Sequence, residues 1–270
     1  MMRSLWTAAS GMTSQQINVD TISNNLANIN TNGYKKQNAQ FQSLLYQTIQ
    51  EKSTDSEGIA KPIGIQVGLG VRNSAISSQF TQGNFLETGN EFDFAVEGDG
   101  FFMVATDNGE IAYTRNGSFT LSNGVEGLTL TTSDGYPVLD SNGYSIVIDE
   151  SYSISKLDID EYGNLLYPDE SNNGVPIGIK IGLVQFNNPV GLEKSSGSLL
   201  KETVSSGYAR IEGQDPNLSA SKVRRRFLEG SNVSAIDEMV NLIVAQRAYE
   251  MNSKVITASD EMLQQANNLR

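Results

Sequence analysis

The chain has 270 residues, 38% apolar and 19% charged, with no Cys, no His and a net charge of −12. That length can bury a substantial core, and the missing Cys excludes disulfides, thiolate nucleophiles and zinc–thiolate sites. Without His the usual general base near neutral pH and the commonest metal ligand are both gone, which disfavours Ser-His-Asp hydrolases and zinc enzymes.

The charge is unevenly placed. Residues 1–50 carry Arg3, Lys35 and Lys36 against Asp20, and residues 222–270 carry seven Lys/Arg against six Asp/Glu. Residues 51–221 hold nine Lys/Arg and 24 Asp/Glu, a net −15. An acidic midsection disfavours nucleic acid and anionic membrane as partners. Nearly neutral ends suit close packing of like subunits. No apolar run approaches the roughly 18 residues of a membrane span, so no membrane insertion is expected. The opening Met1–Ala9 has one charge and no continuous apolar stretch, and Gln15, Gln16 and Asn18 follow too early for a cleaved signal.

In chain order, a first helix is expected over Ser4–Asn30, with Ser4 as its cap and Gly33 as the left-handed residue beyond its end. It carries a seven-residue apolar ladder, Leu5, Met12, Val19 and Leu26, seconded by Ala8, Ile22 and Ile29. A strict seven-residue step is the seam of a coiled coil. Phe41, Leu44, Leu45 and Ile49 keep helical spacing and suggest a short second helix within 34–50. Residues 51–62 lose the apolar pattern and read as a mobile loop or linker. Gly64, Ile65, Val67, Gly68, Leu69 and Gly70 then alternate like a strand rich in glycine, which allows close backbone approach.

From 73 to 215 the period is two. Asn-Gly or Asp-Gly pairs begin at Asn108, Asn116, Asn123, Asp134 and Asn142, the spacing of hairpins in a compact β-domain. A last helix is expected after Gly230, with Ser234 and Asp237 as a capping box and Ser231 as a rival cap. It runs about 35 residues without Pro or Gly. Its ladder is Ala248, Val255, Met262 and Leu269, seconded by Val244, Met251 and Ala258. The fold class is therefore α+β, with long coiled-coil-forming helices at both ends of a mainly β middle domain. Its parts are a first helix over 1–33, a connecting segment over 34–72, an outer β-domain over 73–228 and a final helix over 229–270.

Chemical motifs are sparse. Glu91, Asp93 and Glu97 alternate with Phe92, Phe94 and Val96, which reads as the solvated face of a strand before it reads as a carboxylate pair. Asp158–Gly163 begins like a calcium loop, but Tyr162 and Asp169 fall where ligands are needed, and a hairpin turning at Gly163-Asn164 is favoured. Gly98-Asp99-Gly100 lacks the third glycine of a nucleotide fingerprint. Arg224-Arg225-Arg226 is expected to be solvated or to pair across a subunit boundary with the acidic middle. The amides Asn24, Asn25 and Asn28 inside a helix suit a seam that fixes register.

Asn24-Asn25-Leu26-Ala27-Asn28-Ile29-Asn30-Thr31-Asn32-Gly33-Tyr34-Lys35-Lys36 resembles the N-terminal signature of bacterial flagellar rod and hook proteins. Phe80-Thr81-Gln82-Gly83, Thr88-Gly89-Asn90 and Val96–Phe102 are similar to that family's central motif. Gly230–Val233 and Gln246-Arg247-Ala248-Tyr249-Glu250-Met251-Asn252 are similar to its C-terminal one. Tyr46–Ile49 followed by Gly64–Val71 looks most like the distal-rod members. The stretch 51–62 matches little, and Arg224–Arg226 is more basic than the family pattern.

The resemblance implies a structural subunit that polymerises helically into a rigid hollow drive shaft, with no catalysis and no cofactor. It implies as partners further copies of the chain, proximal rod proteins, the hook protein, surrounding bushing rings and the flagellar type III export apparatus. The implied place is the basal body, spanning the periplasm, reached without a cleaved signal. The implied assembly residues are Leu5, Met12, Val19, Ile22, Leu26, Ile29, Val244, Ala248, Met251, Val255, Met262 and Leu269. Gly64–Gly70 would stiffen the rod. The rival readings are a hook or proximal rod subunit and, remotely, a carboxylate-dependent glycan-cleaving enzyme.

Overall fold

The computed structural model describes residues 2–50, 64–124, 127–149, 152–153, 156–169, 174–215 and 218–268. The 51–62 stretch singled out above, and Leu269, lie outside the described residues. Two helices flank a β-rich middle, an α+β fold, and the chain divides into two compact units. The first gathers residues 1–27, 37–78 and 234–270; the second gathers 28–36 and 79–233.

In the first unit, α1 (Met2–Ala27) and α2 (Ala235–Asn268) pack antiparallel. Ser4 Oγ lies 3.2 Å from Ser259 Oγ, and Asn25 Nδ2 donates to Glu238 Oε2 at 3.0 Å. Between them a Cβ on Gly11 would come 2.8 Å from Asn252 Nδ2, so glycine is what lets the helices approach there. Positions 4, 11 and 25 thus meet 259, 252 and 238, a seven-residue register that sets Asn18 level with the buried Ala245. The α2 cap is weak, with the Asp237 N–H donating to Ser234 Oγ at 3.5 Å.

Two expectations are corrected in this unit. Residues 34–50 form no helix: Gln37–Ser43 pairs with Val71–Ser78, and Tyr46–Gln50 pairs with Ile65–Gly68, both antiparallel. The helical spacing of Phe41, Leu44, Leu45 and Ile49 was also compatible with strands, and pairing with the distant segments Ile65–Gly68 and Val71–Ser78 decided it. α1 stops at Ala27 rather than Asn30, so Ile29 falls in the turn that follows. The Asn28 carbonyl accepts the Thr31 N–H at 3.2 Å and its side chain accepts Thr31 Oγ1 at 3.1 Å. Such local bonds compete with helix continuation.

The second unit is antiparallel throughout its described strands. Its six-stranded sheet runs in the order Glu193–Lys194, Leu200–Lys201, Ile111–Thr114, Phe101–Ala105, Leu183–Gln185, Arg210–Ile211. Two three-stranded sheets are built on Leu128–Thr132 and Asn164–Pro168. Phe94–Glu97 pairs with Lys222–Arg225, and Phe85–Glu87 pairs with Phe227–Glu229. Alternation along Phe101–Ala105 feeds two cores. Phe102 and Val104 join Phe94, Phe119 and Ile181 on one side, while Phe101 and Met103 join Tyr113, Val184 and Phe186 on the other.

Tyr113 gives this packing a pH signature. Burial, then the charge and hydrogen bond of Glu202, push its phenol up to about 12. A raised folded value favours the neutral phenol, so the stabilisation is complete below the unfolded value near 10 and disappears as pH rises through 12. Wild type should therefore lose about 2–3 kcal/mol relative to Tyr113→Phe between pH 10 and 12, read as the difference between their urea midpoints. Parallel pH profiles would contradict it.

Candidate assembly surface

The two faces of α2 differ in kind. The face on α1 is small and polar: Glu238, Ala245 and Ser259 are buried, and Asn252 sits over Gly11. The predicted ladder lies on another face. Val244 is 62% exposed, Met251 61%, Val255 45% and Met262 49%, whereas Ala248 is half-buried. Ile236, Val240 and Ile243 extend the apolar exposure toward the start of the helix.

On α1 the ladder is shared between two roles. Ala8 and Ile22 are buried, while Leu5, Met12, Val19 and Leu26 are half-buried at the margin of the polar seam. Asn25 holds the lower end, its Nδ2 donating to the Gln37 carbonyl at 2.8 Å and its Oδ1 accepting the Gln37 N–H at 2.9 Å. Ile29 is half-buried in the second unit and takes no part in the helix pair.

The ribbon Tyr46–Gln50/Ile65–Gly68 is open. Leu45, Tyr46, Ile49, Ile65 and Leu69 are exposed, and Gly64, Val67, Gly68 and Gly70 are half-buried. Gly70 has φ +117, and a Cβ there would strike Ser10 Oγ at 2.2 Å. The Ser10 hydroxyl accepts the Val71 N–H at 3.3 Å, which seats the strand on α1.

Within the second unit the N-terminal and central motif segments, with Arg115 and the residue just before the C-terminal motif, meet in one buried ion cluster that the sequence reading did not single out. Glu229 accepts from Lys35 Nζ at 2.5 Å and from Arg115 Nη1 at 3.3 Å, with all three side chains almost wholly inaccessible. Lys35 also donates to the Thr81 carbonyl at 2.7 Å, and Arg115 Nη2 to the Gly98 carbonyl at 2.7 Å. The Arg115 guanidinium stacks 4.8 Å from the Phe101 ring centroid. Burial pushes the Lys35 ammonium below its usual range against the pull of Glu229, and burial lowers Arg115 in the same way. Lys35, Thr81 and Gly98 were each within a quoted motif, but only the fold reveals the carboxylate that joins them.

The surface charges pair locally. Arg224 Nε meets Glu97 at 2.7 Å, Arg225 meets Asp158 at 2.6 Å, and Arg226 lies 3.6 Å from Glu91. The Arg224 hydrogen bond holds the Glu97 carboxyl below its usual range. Asp93, expected on a solvated strand face, is instead buried and accepts from the Asn90 amide at 3.1 Å. Asp158–Ile159 pairs with Asn164–Pro168 through a turn at Gly163, whose φ is +81. Among the described residues no group of three acidic side chains is placed to hold a metal ion, and no described helix is long and apolar enough to cross a membrane.

Two long terminal helices flank a β-rich middle in the sequence, and the second keeps an apolar face exposed. Known proteins place this arrangement in a family. The chain matches the family models described as flagella basal body rod protein over residues 5–35, flagellar hook protein FlgE/F/G D1 domain over 95–167, and flagellar basal body rod FlgEFG protein C-terminal over 224–269. It is 46% identical to the flagellar basal-body rod protein FlgG of Borreliella burgdorferi, over all of this chain and 99% of that one. Identity to FlgG of Caulobacter vibrioides is 40% and to FlgG of Bacillus subtilis 37%, over the full length of each. The chain belongs to the FlgG family of flagellar basal-body rod proteins, as a structural subunit.

Proposed function

We propose that the chain polymerises helically into the distal rod, a rigid hollow shaft that carries motor torque to the hook, and that it has no catalytic role. The observation that supports this most directly is the two-faced α2. Its polar face is covered by α1 within the subunit, while Val244, Met251, Val255 and Met262 remain uncovered. Apolar area left in water is worth roughly 25 cal/mol per Å² once a neighbour covers it.

In this reading the ladders of adjacent subunits form coiled-coil seams that make the tube wall, with Leu5, Met12, Val19 and Leu26 contributing from α1, whereas Ile22 is already buried within the subunit. Leu269 would extend the seam. Ile29 is withdrawn from this set because it lies in the turn beyond α1. The exposed ribbon bearing Ile65, Val67 and Leu69 contacts a neighbour and stiffens the shaft. The partners are further copies, proximal rod proteins, the hook protein, bushing rings and the type III export apparatus, in a basal body that spans the periplasm. Export proceeds without a cleaved signal.

Met251→Glu combined with Val255→Glu tests the seam. Both side chains are exposed in the subunit, so its unfolding free energy should change by less than about 0.5 kcal/mol per site. Rods should nonetheless be absent from purified basal bodies under the electron microscope. Normal rods built from the double variant would sink the reading.

A further inference from the structure

The chain passes between its two units at 27/28, 36/37, 78/79 and 233/234. On the side of the second unit, all four passages end on three short segments, 28–36, 79–84 and 229–233. These three are bonded to one another in every pairing.

Asn232 makes the outer tier. Its Oδ1 accepts the Lys36 N–H at 2.7 Å, and its Nδ2 donates to the Gln79 carbonyl at 2.9 Å, the Thr81 carbonyl at 3.2 Å and Thr81 Oγ1 at 2.8 Å. The Gln79 N–H in turn donates to the Lys36 carbonyl at 2.8 Å. Glu229 makes the inner tier. Its Oε1 accepts from Lys35 Nζ at 2.5 Å and from the Gly83 N–H at 2.9 Å, and its backbone carbonyl accepts the Gly33 N–H at 2.7 Å. The Gly230 N–H closes the set on the Asn84 carbonyl at 2.8 Å.

We infer that Asn232 and Glu229 form a clasp that fuses the three segments into one anchor, so that load arriving along any of them is shared by all. Hydrogen bonds spread over three segments and two tiers must open together, whereas a bond joining two segments alone can open singly. A subunit that transmits torque needs its chain passages held in this way, so the inference rests on the rod reading above. Asn232 is the informative residue because it is only half-buried and can be changed without emptying the core.

Amide exchange on the full-length monomer tests the clasp. Asn232→Ala should speed exchange about tenfold at Gly33, Gly83 and Gly230, amides that Asn232 does not touch, the factor that goes with losing about one net hydrogen bond. Met103 and Ala105 in the six-stranded sheet should keep their protection. Acceleration confined to Lys36 would overturn the clasp, and so would equal acceleration at Met103 and Ala105. Asn232→Asp keeps the acceptor for Lys36 and removes the donors, so Lys36 should stay protected while Gly83 opens; an unchanged Gly83 counts against it.

In cells with a cross-linked hook, Asn232→Ala should enlarge the elastic rebound of a stalled shaft. Unchanged rebound would overturn the load-bearing part. Failure of the wild-type chain to build rods would overturn the rod reading alone, because the exchange arm uses monomer.

Discussion

Glu229→Ala should destabilise the second unit by about 3–5 kcal/mol, since removing one partner from a buried ion cluster leaves the remaining charges uncompensated. Here two cations are stranded. Lys35 and Arg115 are buried, and desolvation already disfavours the charged form of each. The change also orphans the Gly83 N–H, which donates to the same carboxylate oxygen as Lys35. Replacing Lys35, Arg115 and Glu229 together by Met should be far milder, because no unpaired charge is then left inside. Urea unfolding followed by far-ultraviolet circular dichroism separates the two cases; the single tryptophan, Trp6, lies in α1 of the other unit and does not report on this one. A loss below about 1 kcal/mol in Glu229→Ala would show that the cluster is solvated in practice.

A methyl group at Gly83 or Gly117 should be nearly as damaging. A Cβ at Gly83 would lie 2.0 Å from the Gly230 carbonyl oxygen, and one at Gly117 would lie 1.7 Å from the Phe94 carbonyl oxygen. Both obstacles are backbone held in pairing, so neither can rotate away as a side chain would. Each alanine variant should lose about 3 kcal/mol or more, the range of overpacking combined with broken ladder bonds. Gly109 provides the contrast. It has φ +76 with open space around it, so Gly109→Ala should cost only about 1 kcal/mol of backbone strain. Equal losses at all three positions would mean that close approach is not what selects glycine at 83 and 117.

These two predictions concern features that local pattern could not reveal. The helices at both ends, the acidic β-block and the hairpin turns were legible because each is written in a short window: a seven-residue step, an alternation, an Asn-Gly pair. The partners of Lys35 were not, since Glu229 is 194 positions away and only folding brings them together. Asn116-Gly117 looked like one more hairpin turn; instead it is the point where the backbone passes against Phe94. Phe41 to Ile49 satisfied two periods at once, and long-range pairing chose the strand.

The internal seam was legible in principle but hidden by its composition. Ser4, Gly11, Asn18 and Asn25 repeat every seven residues beside the apolar ladder, and so do Glu238, Ala245, Asn252 and Ser259. A search for apolar repeats passes over them. The apolar ladder of α2 drew attention to the uncovered face, while small and polar side chains made the covered one.

Because that covered face is spelled in polar pairs, it reads like a ruler with a single stop. Sliding α2 by one repeat would bring Asn25 level with Ala245 and Gly11 level with Ser259, contacts that oil-like packing alone would barely penalise. What it forfeits is the Asn25 amide on the buried Glu238 carboxylate, together with the fit of Asn252 over a residue without a side chain. Two helices free to meet at several offsets are thereby given one address.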